Sequence, residues 1–436
     1  MQIFEDCLRR NARLFPNDVA IEKSGERLTY SQLWARVEER AAQMDIEGKI
    51  IPFRAVCGID TLVHYFAIHL SGGIAMPLEK DLSDAQFAEM SRLANTYVPE
   101  GTADVLFTTG TTGRKKGVII SHAALVADAE NLVQAQGYHH ALNFIICGPL
   151  NHLGSLSKVY PTMWVGGTIR LLDGMKAPGA FFRLIEGSPQ PVASFLVPAS
   201  LRMLMAFSSS LLSEHSRQIE FLETGASAIS LADMQSLCRL LPHSRLYNTY
   251  ASTETGIIST FDFNRGECIE GCVGLPMKHS SFIITPEGRV ACQGPTVMSG
   301  YLGDESLSAA VMHEGKVFTS DMGRVDGMGR LHLQGRSGDI INVGGYKVSP
   351  TEVESAAMSL GILEDCVCIP SQHRVLGTVL KLLVVLPSGI LLDKRTLARA
   401  LQSKLESYKI PMLYEQVPSV RRTFNGKIDR KAYLSQ

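Results

Sequence analysis

Residues 106–117 read LFTTGTTGRKKG, an apolar strand that runs into a loop of threonine and glycine. The six residues 108–113 are only Thr and Gly. Threonine hydroxyls donate hydrogen bonds, and glycines let backbone N–H groups approach an anion closely. Lys116 adds a positive charge three residues after the loop. The segment therefore predicts a loop that holds phosphate groups.

This loop differs from the common nucleotide-binding loop, because GxxxxGK[ST] matches the segment in no register. An ordinary Thr/Gly loop without a ligand is the alternative. The density of hydroxyl and glycine residues before a lysine favours the phosphate-binding interpretation. The candidate contacts are Thr108, Thr109, Gly110, Thr111, Thr112, Gly113 and Lys116.

Length and composition limit the class of protein around this loop. A chain of 436 residues predicts about two to four domains, and 45% apolar with 19% charged residues is typical of a globular enzyme. The formal net charge of -1 gives no electrostatic reason to expect nucleic acid or an anionic membrane as partner. The sequence contains no run of 18 apolar residues, so we expect no membrane span.

The N-terminus and the cysteines favour a cytoplasmic protein. Residues 1–10, MQIFEDCLRR, carry acidic residues and lack the apolar core of a secretory signal, so we expect an amphipathic helix there. None of the nine cysteines has CxxC or zinc-site spacing. Cys366 and Cys368 lie in the apolar run DCVCIP and are predicted to be buried in a strand.

Alternating short apolar runs and helical patterns predict an α/β fold whose large N-terminal domain has parallel-rich sheets packed with helices. Residues 291–326 have the short strands and glycine turns of a small antiparallel unit. A small, mobile α+β domain is predicted to follow. We expect the boundary in the loop at 335–338, giving domains 1–337 and 338–436. The predicted strands before it include 105–108, 144–147, 193–197, 219–223 and 245–250.

The C-terminal domain has a simple predicted order. A helix at 352–360, capped by Thr351, precedes strands at 364–370 and 379–386, and a second helix covers 393–405.

Four further segments carry candidate chemistry. YASTE at 250–254 places an aromatic face, a hydroxyl and a carboxylate at a strand end. TSD at 319–321 offers Asp321, although a lone turn aspartate is uninformative. A long stretch at 335–354, GRSGDIINVGGYKVSPTEVE, contains Arg336. RTFNGKIDRK at 422–431 places Lys427 after an Asn-Gly turn pair, hence on a loop or hairpin end.

These motifs, in this order, resemble the adenylate-forming (AMP-binding) superfamily of acyl- and aryl-CoA synthetases, luciferases and nonribosomal adenylation domains. Residues 108–117 match its signature [ST]-[ST]-G-[ST]-T-G-x-P-K-G, with Lys115 where proline is usual. The chain is closest in character to a short acyl- or aryl-CoA ligase. The resemblance covers about residues 15–431 and implies ATP and Mg²⁺ as requirements.

The resemblance also implies roles for single residues. The phosphate loop and Lys116 bind the β- and γ-phosphates of ATP, Lys427 bridges the substrate carboxylate and the α-phosphate, and a cation there offsets the repulsion of two anions. The remaining roles are adenine stacking by Tyr250, further ATP contact by Asn248, α-phosphate contact by Thr253, Mg²⁺ binding by Glu254, ribose binding by Asp321, ribose and phosphate bridging by Arg336, a hinge at Gly338, and a thiol tunnel at Gly344 and Gly345.

The resemblance also implies an acyl pocket, which it places by position at His152, Phe195, Gly225 and Ala226. Amino-acid-activating members usually place an aspartate in the region of 151–161, and this chain has no acidic residue there. We therefore expect an aryl or medium-sized aliphatic acid. Lys158 either pairs with a second carboxylate of the substrate or faces solvent, and the second interpretation is favoured.

Three functions stay open at this point. The first is an AMP-forming acyl- or aryl-CoA ligase that uses CoA. The second is a stand-alone adenylation enzyme that loads the phosphopantetheine of a carrier protein. The third is an inactive nucleotide-binding homologue, which the presence of Glu254, Asp321, Arg336 and Lys427 disfavours. The expected partner is a small-molecule carboxylic acid, and the sequence leaves monomer and homodimer open.

Overall fold

The computed structural model describes residues 3–109, 115–175, 177–343, 346–374, 376–423 and 428–434. In this part the α-helices are α1 Asp6–Leu14, α2 Tyr30–Ala41, α3 Ile59–Leu70, α4 Asp84–Ser91, α5 His122–Gln136, α6 Leu153–Leu156, α7 Val159–Val165, α8 Pro178–Glu186, α9 Pro198–Phe207, α10 Ser209–Glu214, α11 Leu231–Leu240, α12 Glu305–Val311, α13 Pro350–Met358, α14 Lys394–Gln402 and α15 Lys431–Leu434. Short 3-10 helices cover Arg92–Asn95 and Ser407–Lys409.

The β-strands of the described residues alternate with these helices over most of the chain. They are β1 Val19–Lys23, β2 Glu26–Thr29, β3 Ile50–Arg54, β4 Ile74–Leu78, β5 Thr102–Thr109, β6 Lys115–Ser121, β7 Asn143–Ile146, β8 Thr168–Leu171, β9 Val192–Phe195, β10 Ile219–Gly225, β11 Arg245–Ser252, β12 Gly256–Asp262, β13 Cys272–Pro276, β14 Ser281–Ile284, β15 Arg289–Gln293, β16 Gly300–Tyr301, β17 Met312–His313, β18 Lys316–Val325, β19 Leu331–Arg336, β20 Ile341–Val343, β21 Tyr346–Val348, β22 Asp365–His373, β23 Gly377–Val385 and β24 Leu413–Gln416.

The largest sheet has a parallel centre and antiparallel edges. Its order is β14-β15-β18-β19-β13-β12-β11-β10-β9-β7-β8-β1-β2, and β17 pairs with β18. The strands from β11 to β1 are parallel neighbours, whereas β12 to β15, β18 and β19 pair antiparallel. The predicted α/β class and the small antiparallel unit around 291–326 are confirmed.

Alternating residues of the central strands bury opposite faces of this sheet. Phe144 and Phe221 pack in the cluster that contains α5 and α7, whereas Ile145 and Leu222 pack in the cluster that contains α8, α9 and α11. Both faces are apolar because helices cover both sides, as expected for parallel strands. This two-sided burial fixes which side chains of β9 and β10 point towards α7.

A second sheet, with order β16-β6-β5-β4-β3, carries the threonine and glycine segment. Strands β5 and β6 pair antiparallel, with Thr108 opposite Lys116 and Thr109 opposite Lys115. Residues 108, 109, 115 and 116 are therefore the stem of a β-hairpin. Strand β16 adds to its outer edge, with Tyr301 opposite Val118.

The C-terminal part has its own sheet, β22-β23-β24, and its own apolar core with α13 and α14. Cys366 and Cys368 are buried in β22, as predicted, and they are free thiols. The predicted cap at Thr351 is wrong. Helix α13 begins at Pro350 after Ser349, because proline suits the first helical position, where no N–H is needed.

The predicted boundary loop also starts later than expected. Gly335 and Arg336 are the last residues of β19, and the turn covers only residues 337–339. Among the described residues, no helix has the length and apolar character needed to cross a membrane.

Candidate active site

Three parallel strands of the large sheet end together at one edge. Strands β9, β10 and β11 are neighbours and end at Phe195, Gly225 and Ser252. Ligands of open α/β sheets bind outside the carboxyl ends of their strands. The residues that follow these three strands are therefore candidates for ligand contact.

The hairpin between β11 and β12 presents Thr253 and Glu254 at this edge. Both residues lie in a tight turn, and both are half-buried. Gly256 closes the turn with φ +67, and a Cβ atom there would lie 2.6 Å from the Thr296 carbonyl oxygen. Only glycine fits this close approach. The turn thus fixes the position of the Glu254 carboxylate.

Three of the predicted ATP-binding residues form one hydrogen-bonded group. The Tyr250 hydroxyl donates to Asp321 Oδ2 over 2.8 Å, and Arg336 Nε donates to Asp321 Oδ1 over 2.9 Å. Asp321 and Arg336 face each other across β18 and β19. Residues far apart in sequence are therefore assembled at the junction of the parallel and antiparallel parts of the sheet.

Tyr250 stays a neutral phenol in this group. Burial raises its pKa well above the usual range, and the Asp321 carboxylate adds to the effect. The hydroxyl is therefore a hydrogen-bond donor to Asp321, and the ring has a fixed orientation. Arg336 keeps 42% of its side chain exposed, so its guanidinium is available to a ligand at the same place.

A second group connects the phosphate hairpin with Glu254. The Tyr301 hydroxyl donates to Glu254 Oε1 over 3.1 Å, and Lys116 Nζ lies 5.2 Å from the centre of the Tyr301 ring. Burial and the Glu254 carboxylate raise the pKa of Tyr301 above its usual range. Tyr301 thereby joins the two sheets at the predicted triphosphate position.

Lys115, the residue that replaces the usual proline, has its own partner. Its Nζ lies 2.9 Å from Glu79 Oε1, just after β4. This ion pair ties the stem of the hairpin to the neighbouring strand.

Several predicted site residues lie outside the described part of the chain. These are Gly110, Thr111, Thr112 and Gly113 of the phosphate loop, Gly344 and Gly345 of the predicted thiol tunnel, and Lys427. Their roles stay predictions.

The flanks of Lys427 are described and are well anchored. Arg422 Nη2 lies 2.8 and 2.7 Å from the two carboxylate oxygens of Asp365. Arg430 forms a bidentate pair with Glu354, at 2.5 and 2.7 Å. Arg422 also bridges to Ile428 through the backbone. The segment 422–430 is thus held at both ends by the C-terminal core.

Two other predicted residues have structural surroundings that the sequence did not show. The Asn248 side-chain amide donates to the carbonyl oxygen of Cys272 over 2.8 Å, which joins β11 to β13. Gly338 is exposed, and an added Cβ atom would lie more than 4 Å from every atom that the structure describes.

The predicted acyl-pocket residues Phe195 and Gly225 come together. An added Cβ atom would lie 3.6 Å from the Phe195 ring at Gly225 and 3.2 Å from it at Gly154. At Gly225 the same Cβ atom would lie 2.7 Å from the Thr249 carbonyl oxygen. Ala226 is exposed and has a positive φ of 64, a conformation that is concentrated at functional sites.

His152 is half-buried and immediately precedes α6, the short helix that also contains Gly154. The structure therefore puts the predicted histidine on the element that packs against Phe195.

Lys158 differs from both expectations. It is only 1% exposed, and its Nζ lies 2.8 Å from Oε1 and 2.8 Å from Oε2 of Glu223, which is fully buried. The favoured prediction that Lys158 faces solvent is wrong, because Lys158, at the N-cap of α7, is buried against Glu223 of β10. Its carboxylate partner is a residue of this chain.

Sequence reasoning missed Tyr301 and Glu223. Tyr301 lies in MSGYLGD, where nothing in the spacing marks it. Glu223 interrupts the apolar strand FLETG, and an acidic residue inside such a strand was the available signal for a buried ion pair.

The donor set fits the two expected ligands. The Asp321 carboxylate, with the Tyr250 hydroxyl and the Arg336 guanidinium bonded to it, suits the ribose and phosphates of a nucleotide. Mg²⁺ prefers carboxylate oxygens and usually binds through one or two carboxylates plus phosphates. Glu254 beside the phosphate hairpin supplies such a carboxylate.

Two family models match the chain. The model of the AMP-binding enzyme matches residues 93–302, and that of the AMP-binding enzyme C-terminal domain matches residues 352–427. The chain belongs to the AMP-binding enzyme family, and the predicted resemblance is confirmed.

Curated relatives carry several activities. The chain is 28% identical over 351 residues to an indoleacetate–CoA ligase of Aromatoleum aromaticum, covering 76% of this chain and 66% of that protein. It is 26% identical to a feruloyl-CoA synthase of an Amycolatopsis species, over 96% of both chains. It is 25% identical to a D-alanine–D-alanyl carrier protein ligase of Staphylococcus epidermidis, over 95% of both. It thus spans about two thirds of the first relative.

Solved structures agree on the fold. ATP-bound MatB from Rhodopseudomonas palustris superposes with a TM-score of 0.87 at 21% identity over 98% of both chains. The amide bond synthetase McbA from Marinactinospora thermotolerans gives 0.89 at 22% identity over 99% of both. The shared architecture is a large N-terminal and a smaller C-terminal domain.

Proposed function

We propose that this protein activates a carboxylic acid with ATP to form an acyl-adenylate and then transfers the acyl group to the thiol of CoA. The observation that carries the proposal is the assembly of two groups at one sheet edge. Tyr250, Asp321 and Arg336 form one hydrogen-bonded group that suits a nucleoside, and Tyr301 connects Glu254 with Lys116 of the hairpin stem. Four sequence motifs contribute to this assembly.

In the first step, a carboxylate oxygen attacks the α-phosphorus of ATP, and the bond to pyrophosphate breaks. Lys427 sits between the two anions and stabilises the charge of the transition state. Tyr250 stacks on the adenine, and Asp321 and Arg336 bind the ribose and phosphate. Mg²⁺ held by Glu254 would supply further neutralisation of the triphosphate.

In the second step, the CoA sulfur attacks the acyl carbon, and AMP leaves. Residues 338–436 rotate about Gly338 between the steps, which withdraws Lys427 and brings Gly344 and Gly345 to the thiol. The open surroundings of Gly338 support this hinge, because an added Cβ atom there would meet no atom of the described residues within 4 Å. Domain closure of this kind is a common way to separate two reactions at one site.

The experiment is pyrophosphate release from ATP and Mg²⁺ with a panel of aryl, short-chain and medium-chain acids, with and without CoA. We expect release that depends on one class of acid and yields its CoA thioester. A protein that binds ATP but releases no pyrophosphate with any acid would contradict the proposal.

A second candidate acceptor is the phosphopantetheine of a carrier protein. The similarity to a carrier protein ligase over 95% of the chain favours it. In that case, the adenylate forms but free CoA does not consume it, whereas a phosphopantetheinylated carrier protein does. Both acceptors present the same thiol arm, so the acid-activating step is common to both.

A further inference from the structure

The buried Lys158–Glu223 ion pair lies next to Phe195 and, through Glu223, on the same strand as Gly225, two residues of the predicted acyl pocket. Glu223 is two residues before Gly225 on β10, so the two residues point to the same face of the sheet. Glu223 is also the register partner of Phe195 on β9. Lys158 Nζ lies 5.1 Å from the centre of the Phe195 ring.

Exposure falls steeply along this face. Ala226 is exposed and Phe195 is half-buried, whereas Glu223 and Lys158 are 0% and 1% exposed. Two residues of strand cover about 7 Å, at about 3.3 Å per residue. The distance along β10 from the buried Gly225, next to the exposed Ala226, to the ion pair is therefore about the length of one aromatic ring with a small substituent.

We infer that the Lys158–Glu223 pair is the floor of the acyl pocket and limits the substrate to monocarboxylic acids with an uncharged tail about one ring long. The inference rests on the proposed function and names its substrate class.

The physical reason is that Lys158 and Glu223 already neutralise each other. Removing a charge from water costs several kcal/mol unless a partner compensates it. Lys158 already has Glu223 as its counter-ion at 2.8 Å, so a second substrate carboxylate gains no free cation and meets the Glu223 charge. A substrate ammonium group gains no free carboxylate either, and it is repelled by the Lys158 charge. An uncharged ring keeps the pair intact and packs against Phe195.

A purely structural ion pair makes a different prediction. Its loss would lower the activity with all acids by the same factor, through misfolding or a distorted pocket. A pocket floor changes the ratio of activities between acids. The ratio of kcat/KM values therefore separates the two roles.

The experiment uses three acids of equal ring size: 4-methylbenzoate, terephthalate and 4-(aminomethyl)benzoate. ATP–pyrophosphate exchange gives kcat/KM for each acid with the full-length protein. For the wild type we expect 4-methylbenzoate to exceed both charged acids by at least about 100-fold, the factor expected from about 2.7 kcal/mol at a desolvated charge.

Each of two single variants then leaves one charge of the pair without its counter-ion. Glu223→Gln leaves Lys158 uncompensated, and we expect terephthalate to gain at least about tenfold relative to 4-methylbenzoate. Lys158→Met leaves Glu223 uncompensated, and 4-(aminomethyl)benzoate should gain instead. The double variant Lys158→Met/Glu223→Leu should favour neither charged acid. It also keeps the test valid if a single variant fails to fold, because a neutral apolar pair often replaces an ion pair without loss of stability.

A matched control is Arg202→Met, which breaks the half-buried Arg202–Asp233 pair between α9 and α11 on the other face of the sheet. It should leave all three ratios unchanged. Equal use of terephthalate and 4-methylbenzoate by the wild type would overturn the inference, as would an equal loss for all acids in both single variants. No exchange with these or any other acid would instead overturn the proposed function.

Discussion

The proposed nucleotide site and the proposed acyl site use charge in opposite ways. On the nucleotide side, the Arg336 side chain is 42% exposed although it bonds to Asp321. On the acyl side, the side chains of Lys158 and Glu223 are only 2% and 0% exposed, and they are paired with each other. Exposed charges can exchange water for the phosphates of a ligand. Buried charges are committed to each other and instead shape the cavity around them.

The largest expected effect concerns the cation of the nucleotide side. Lys427→Ala should lower adenylate formation by about 10³-fold, because a charge that stabilises the transition state is lost. Thioester formation from supplied acyl-AMP should be largely kept. Pyrophosphate release and thioester yield from acyl-AMP measure the two half-reactions separately, with Lys404→Ala as an exposed control.

Equal loss of both half-reactions after Lys427→Ala would contradict the proposed role of Lys427 in adenylate formation. It would mean that the lysine holds the protein together rather than acting in one step.

The next effect concerns the centre of the nucleoside site. Asp321→Asn removes the charge that orients Arg336 and accepts the Tyr250 hydroxyl. A hydrogen bond to a charged group contributes about 1.5–3 kcal/mol, so KM for ATP should rise by about 10- to 100-fold. Tyr250→Phe is the milder partner, since it removes only one donor. An unchanged KM for ATP in Asp321→Asn would remove Asp321 from the nucleotide site.

A third prediction compares two glycines. At Gly225, a methyl group would lie 2.7 Å from the Thr249 carbonyl oxygen, whereas at Gly338 it would meet nothing within 4 Å. Gly225→Ala should therefore cost about 1–3 kcal/mol of unfolding free energy and reduce acid activation. Gly338→Ala should stay within about 0.5 kcal/mol of the wild type. Chemical denaturation of both variants measures the difference, and similar losses would show that the close approach at Gly225 is relieved by backbone movement.

The smallest expected effect concerns Tyr301. Tyr301→Phe removes the hydrogen bond to Glu254 and keeps the ring beside Lys116. A loss of about 1 kcal/mol corresponds to a fall of about fivefold in kcat/KM for ATP, with a higher Mg²⁺ requirement. A Mg²⁺ titration of pyrophosphate release is the measurement. A lower rate at all Mg²⁺ concentrations, with no shift in the requirement, would show that Tyr301 acts on the fold and not on the Glu254 carboxylate.

The sequence predicted the architecture well for a physical reason. Apolar runs such as 144–147 and 219–223 are buried on both faces, and their strands are found at Asn143–Ile146 and Ile219–Gly225. Local rules failed where two of them competed, as at Thr351, where the proline at the first helical position shifted the start of α13 to Pro350.

The sequence by itself determined the family and predicted the residues of the proposed nucleotide site, because those residues occur in short, ordered patterns around strand ends. Only the tertiary structure decided the partners. The bond from Tyr301 to Glu254 joins two sheets, and the pairing of Lys158 with Glu223 spans 65 positions of the chain. Such pairs depend on which face of a strand packs against which helix, and no local pattern encodes that choice.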